Sequence, residues 1–196
     1  KLIPYISNMN KEYDFTVTWG IQTTTDDAEG EILFESSHLP KRKEIEKKII
    51  NYIGFINQIP PKVSAVKING KRAYKLFREN KKFTIQPKKV FIEDLYITDH
   101  SINKTSFKIL CGQGFYVRSL ARDLAIDLKT YGHISSLKRS KVGKFSEKNS
   151  ILLDDLLKIG QRLGEINCIS TTISMLDDIL AYEIEEKLDI ENLSFG

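Results

Sequence analysis

Residues 111–123 read CGQGFYVRSLARD: a cysteine, two glycines, an aromatic pair, then a run with two arginines. Glycines ahead of a helix let backbone N–H groups approach an anion, so a phosphate-binding loop is the first reading to test. It fails twice. Val117 stands where a dinucleotide fingerprint needs its third glycine, and no Gly-Lys-Ser/Thr follows for a P-loop. The glycines instead mark a tight turn at a strand end. After it Leu120, Leu124 and Leu128 recur every four residues, the apolar stripe of an amphipathic helix over 116–128. Such a turn lets Tyr116 and Arg118 point to one side of the chain.

Outward from this stretch, both periods of regular structure occur. YDFTVTW (13–19) puts Tyr13, Phe15, Val17 and Trp19 on one face of a strand and Asp14, Thr16 and Thr18 on the other, and Gly20 ends it. TTTDDAEG (23–30) is a loop and EILF (31–34) a short strand. In KRKEIEKKIINYIGFI (41–56) Ile45, Ile49, Ile53 and Ile56 fall at helical spacing, which predicts a helix that stops before NQIPPK. Residues 63–68 read as a strand closed by the Asn69-Gly70 turn, KRAYKLFREN (71–80) as a short basic helix, and 83–98 and 105–111 as strands. LKRSKVGKF (137–145) reads as a strand and ILLDDLLKI (151–159) as a helix. Strands and helices interleaved in this way give an α/β (α+β) protein.

The 196 residues are 41% hydrophobic and 29% charged, an ordinary balance for a globular chain. No apolar run approaches the roughly 20 residues of a membrane-spanning helix. Cys111 and Cys168 have no CxxC or Cys/His neighbourhood, which argues against zinc and for reduced thiols in a cytoplasm. Charge is unevenly placed. Net charge is only +4, yet ten bases face one acid, Glu79, between Lys62 and Lys89, while from Asp154 to Glu191 ten acids face three bases. A basic segment of that density either solvates its own surface or attracts a polyanion in a salt-dependent way, and charge alone does not choose.

Four collinear segments carry a resemblance. KEYDFTVTWGIQTTTDDAEGEI (11–32) is similar to a Lys-x-Tyr strand followed by a Thr-Asp-Thr-x-Asp-x-Glu/Asp-Gly loop, and QIPPKVSAVKINGKRAYKLFR (58–78) to Pro-Pro-x-Tyr-Ser-Ala-x-Lys-x-x-Gly-x-x-x-Tyr. CGQGFYVRSLARDLAIDL (111–128) is similar to Gly-Thr-Tyr-Ile-Arg-Ser-Leu-Ala-Arg-Asp-Leu, and GHISSLKRSKVGKF (132–145) to Ala-His-x-x-x-Leu-Arg-Arg-Thr-x-x-Gly-x-Phe. Together they resemble the TruB-type tRNA pseudouridine synthases, which isomerise a uridine in the T loop of tRNA.

The resemblance implies a catalytic domain over 1–170, with a mixed, largely antiparallel sheet, flanking helices and a basic thumb-like insertion. The start of a small RNA-binding domain would follow at 171–196. Tyr116 would lie against C5 of the target uracil as the base that removes its proton, and Arg118 would pair with the catalytic aspartate. Both residue types suit the task, since a phenol of lowered pKa exchanges protons and a guanidinium holds a carboxylate ionised for attack. Tyr13 would stack on the flipped base, Leu137 would close the pocket opposite it, and Asp27 would border it. Without the resemblance, Tyr13 reads as core and Asp27 as a turn residue. Lys62, Lys67, Lys71, Arg72 and Arg78 would contact the T arm through phosphates, and His133 would make a structural hydrogen bond. No cofactor and no metal is implied; the expected partner is the tRNA T-arm stem-loop, bound by a cytoplasmic monomer.

The family's nucleophile lies in a Gly-x-Leu-Asp-Pro-x-Ala-x-Gly motif absent from these 196 residues. It is expected just upstream of Lys1, with a histidine-containing motif that helps to flip the base, and this chain alone is expected to be inactive. Both ends read as cut. Val63 replaces the usual aromatic, and Thr24 stands where the family has an acid. Two alternatives stay open: an RNA-binding module without turnover, and a related synthase guided to another RNA by partner subunits.

Overall fold

The computed structural model describes residues 3–159; the acidic tail, Cys168 and the expected boundary at 170 lie outside them. Contacts separate a unit Asn8–Lys148 from a second one to which residues 3–7 and 149–159 belong. α1 (Ile3–Asn8) belongs to the second unit up to Ser7, and α5 (Leu153–Ile159) lies in it entirely.

The larger unit holds strands β1 (Lys11–Trp19), β2 (Ile21–Thr23), β3 (Ile32–Glu35), β4 (Gly54–Gln58), β5 (Lys67–Ile68), β6 (Lys71–Arg72), β7 (Lys88–His100), β8 (Lys104–Cys111), β9 (Gly132–Val142) and β10 (Phe145–Ser146). Its helices are α2 (Arg42–Ile49), α3 (Ala73–Arg78) and α4 (Val117–Asp127). One six-stranded sheet runs β10-β9-β1-β8-β7-β4, antiparallel at every pairing, with β2–β3 and β5–β6 as separate hairpins. The β1 alternation holds: Phe15, Val17 and Trp19 are buried, and α4 packs on β9 and β1 while α2 packs on β7 and α4. Phe15 stacks on Phe107, its partner in register, with centroids 5.1 Å apart. Across the sheet the polar residues pair with one another, Thr16 with Ser106 at 2.9 Å and Lys108 with Glu12 at 3.0 Å. Apolar residues thus fill the helix side and hydroxyls and charges the other, the division a half-covered antiparallel sheet demands.

Three expectations change. The helix over 41–56 ends at Ile49; a 3₁₀ turn follows over Ile50–Tyr52, and Gly54, at φ +94°, turns the chain into edge strand β4. Ile53 and Ile56 kept helical spacing by coincidence, because pairing of 54–58 with β7 outweighs a short apolar period. The strand over 63–68 shrinks to Lys67–Ile68, joined to β6 through Asn69 (φ +48°) and Gly70 (φ +82°), the two left-handed residues of a tight hairpin. Residues 83–87 are not strand; β7 starts at Lys88, immediately after Pro87, which has no N–H to give a ladder.

Candidate active site

The stretch from Gly112 to Arg122 is where the fold gathers its chemistry. Gly114 lies at φ +79°, where a side chain is strained, whereas a Cβ at Gly112 would meet Phe91 at an ordinary 3.6 Å, so only one of the two glycines is required by its backbone. Tyr116 caps α4 in an extended conformation. Beneath it runs the segment 58–63. Gln58 Oε1 accepts the Tyr116 N–H (2.8 Å), Ser119 Oγ donates to the Ile59 carbonyl (2.7 Å), and Arg118 Nη2 donates to the Val63 carbonyl (2.8 Å).

Arg118 and Arg122, four apart, share a face of α4 and reach adjacent aspartates. Arg118 Nη1 donates to Asp27 Oδ2 (2.9 Å) and to the Thr25 carbonyl (3.0 Å). The other Asp27 oxygen accepts the Thr25 hydroxyl and the Glu29 N–H. Arg122 Nη1 lies 3.4 Å from Asp26 Oδ2, its Nη2 donates to the Ile59 carbonyl (2.8 Å), and its Nε donates to Asp123 (2.9 Å). Burial pushes the Asp26 carboxyl above the usual range, against the pull of Arg122 and Arg118, and it does the same to Asp123 against Arg122. Thr24, in place of the family acid, still accepts the Glu31 N–H on its hydroxyl.

Asp27, Ala28, Glu29, Val63, Arg118 and residues 134–137 line an open cleft of about 550 Å³. Leu137, half exposed, sits in it and pairs with Phe15 across β1–β9. Tyr13, opposite Arg139, shares that sheet face two residues along β1, so it is the diagonal neighbour of Leu137. Burial raises the Tyr13 phenol pKa; the hydrogen bond to Arg139 works the other way. Asp27, Arg118 and Leu137 therefore meet at one cleft, while Tyr13 and Tyr116 are not among its lining residues. Elsewhere, His133 is buried with Nδ1 2.9 Å from the Ile21 carbonyl. In the thumb Lys62, Lys67 and Lys71 are exposed, but Arg72 donates to the Ala65 carbonyl (2.6 Å) and Arg78 lies over the Tyr74 ring. Burial pushes the Cys111 thiol up to about 12, which leaves it protonated and unreactive.

Residues 1–117 match the model of the TruB family pseudouridylate synthase N-terminal domain. The chain belongs to that family. Residues 118–187 match the tRNA pseudouridylate synthase B C-terminal domain, so the two TruB segments meet inside the uninterrupted helix α4. Among TruB relatives, tRNA pseudouridine synthase B of Wolbachia pipientis is 47% identical over 87% of this chain and 49% of its own length. The enzyme of Caulobacter vibrioides is 37% identical over 95% of this chain and 61% of its own. The chain spans about half the length of the curated relatives it matches. A Cbf5-Nop10-Gar1 complex holds a chain of the same fold, with TM-score 0.58 and 20% identity over 80% of this chain and 38% of that one.

The TruB motifs, read as sequence, pointed to Arg118 and Asp27 but not to Arg122 and its pairing with Asp26. The i, i+4 spacing of the two arginines was the available signal. Gly30, which closes the Thr-x-Thr-x-Asp-x-x-Gly loop, has no room for a methyl group. An added Cβ would stand 2.4 Å from Thr25 Oγ1 and 2.7 Å from Thr25 N, displacing the hydroxyl that holds Asp27. Gly30→Ala is expected to destabilise by about 1–3 kcal/mol through overpacking, measured by urea unfolding. An unchanged midpoint would mean that the loop is not held at Thr25.

Proposed function

We propose that the protein isomerises the T-loop uridine at position 55 of tRNA to pseudouridine, in the cytoplasm, as a monomer and without a cofactor. The observation that carries this is the setting of Arg118. A guanidinium has five N–H donors. Among the described residues Arg118 uses three, on Thr25, Asp27 and Val63, which leaves two on a side chain that lines the cleft, the number a carboxylate takes in bidentate pairing.

Neither acid of the loop suits the nucleophile, since Asp26 is buried against Arg122 and both oxygens of Asp27 are occupied. The attacking carboxylate is the aspartate of the family motif, held by Arg118. It displaces the base from the nucleotide, so the N1–C1′ bond breaks. The detached uracil rotates, C5 bonds to C1′ as the C1′–carboxylate bond formed in the attack breaks and frees the aspartate, and the C5 proton leaves to Tyr116 while N1 regains one. Flipping exposes the base, and Tyr13 and Leu137, diagonal neighbours on one face of the sheet, cover its two faces. Lys62, Lys67 and Lys71 meet phosphates of the T arm, with Arg72 and Arg78 shaping the thumb that presents them.

The test is pseudouridine formation in a T-arm hairpin by the full-length gene product. Wild type is expected to turn over; Tyr116→Phe is expected to lose turnover and keep most RNA affinity. Normal turnover by Tyr116→Phe would end the base assignment, and none by wild type would end the isomerase reading. The relatives matched in sequence are named for tRNA, which favours this substrate over a guided RNA.

A further inference from the structure

Two ion pairs hold the loop 24–30, one of them at the cleft. Asp27 meets Arg118 there; Asp26 points inward, 7% exposed, to Arg122 and to a hydrogen bond with Gln22. Asp26 also stands at φ +61°, a region few residues other than glycine adopt. Its carbonyl accepts the Ile134 N–H (3.0 Å), and Asp27 forms an isolated parallel bridge with Ile134. One planar guanidinium, on Arg122, thus joins the loop bearing Asp27 to the segment that begins at Ile59, whose Val63 carbonyl holds Arg118. Through Asp26 the same tie reaches β9, which carries Leu137.

We propose that Arg122 and Asp26 are positioning residues for the reaction, fixing the direction of Asp27 and through it the plane of the Arg118 guanidinium. The proposal rests on the isomerase reading above. If Asp26 relaxed to an ordinary φ, the peptide leading to Asp27 would rotate and its carboxylate would swing away from Arg118. Misplacement by about 1 Å at a reacting centre costs on the order of 10²-fold in rate.

Asp26→Ala and Asp26→Asn, made in the full-length gene product, test this. Asparagine keeps an oxygen for Arg122 and tolerates the left-handed region; alanine does neither. Asp26→Ala is expected to lower kcat for a T-arm hairpin about 10- to 100-fold with KM nearly unchanged, the signature of an interaction needed only in the transition state. Hydrogen exchange at the Ile134 amide should quicken in the same variant, and Asp26→Asn should restore both. A purely structural role would lower the melting temperature without that split. Arg122→Lys, which keeps one cation but not the three-way contact, should show the same loss of kcat and serves if Asp26→Ala does not fold. Wild-type kcat with wild-type Ile134 protection would overturn the proposal. If wild type makes no pseudouridine, the isomerase reading fails, and Ile134 exchange alone then decides whether Asp26 holds the cleft.

Discussion

Arg118→Met is expected to remove pseudouridine formation to the extent of about 10²–10³-fold in kcat, the scale on which a preorganised charge donor matters. The loss has two origins. The incoming carboxylate would find no fork to hold it ionised, and Asp27 would lose its partner on Oδ2. The Thr25 and Val63 carbonyls would be orphaned as well. Both Arg118 and Asp27 are about a quarter exposed, so water reaches the vacated groups and the stability cost stays near 1 kcal/mol, the low end for unsatisfied polar groups. Activity and stability therefore separate. Arg118→Lys sharpens the test, because an ammonium is a single point with three donors and cannot reach Asp27, Thr25 and Val63 while keeping two donors free. Its stability should return towards wild type while turnover stays at least tenfold down. Full turnover by Arg118→Lys would show that a positive charge suffices and that the geometry around Arg118 has no catalytic part.

How far this was legible in the sequence depends on whether a residue's role is set by near neighbours or distant ones. The faces of β1 and α4 were readable because period two and period 3.6 sort Phe15, Val17 and Trp19, and Leu120 and Leu124, onto buried faces that the structure confirms. The failure at 41–56 came from a competition between local and distant pairing. Ile45 and Ile49 obey the helical period, but Gly54 breaks it, and the partner that makes 54–58 a strand lies distant along the chain in β7, with Gly54 opposite Ile92 and Gln58 opposite Lys88. The same holds at the site. Asp27 and Arg118 are 91 residues apart, and no local pattern says that they meet; the motifs supplied the two residues, and the fold supplied the 2.9 Å contact. Arg122 had only its spacing from Arg118, and the left-handed Asp26 looked like one more loop acid. Positive φ at an aspartate leaves no mark in composition or period.

Trp19→Ala should have the largest effect on stability, about 3–5 kcal/mol, the range for truncating a buried aromatic to alanine. The side chain is 1% exposed and packs against Gly132, where a Cβ would stand 3.1 Å from the indole ring. The backbone around it is fixed, since β1 is held on both sides by β8 and β9, and Gly132 has no side chain to move in. The hydrogen bond from Trp19 Nε1 to Thr105 Oγ1 (2.8 Å) would also go, but that hydroxyl keeps His100 Nδ1 at 2.8 Å and is not orphaned. The cost is thus cavity more than lost polarity, which predicts that Trp19→Phe recovers over half of it while restoring no hydrogen bond. With a urea m-value of roughly 2 kcal/mol/M, the Trp19→Ala midpoint should fall by about 2 M. If Trp19→Phe were as damaging as alanine, the indole N–H and not the ring volume would be what Thr105 and the β1–β9 junction depend on. Ile134 lies on that junction, two residues beyond Gly132, and carries the amide that holds Asp26. Packing around Trp19 is therefore connected through β9 to the loop that bears Asp27, and a cavity at position 19 should quicken exchange at Ile134 before the chain as a whole unfolds.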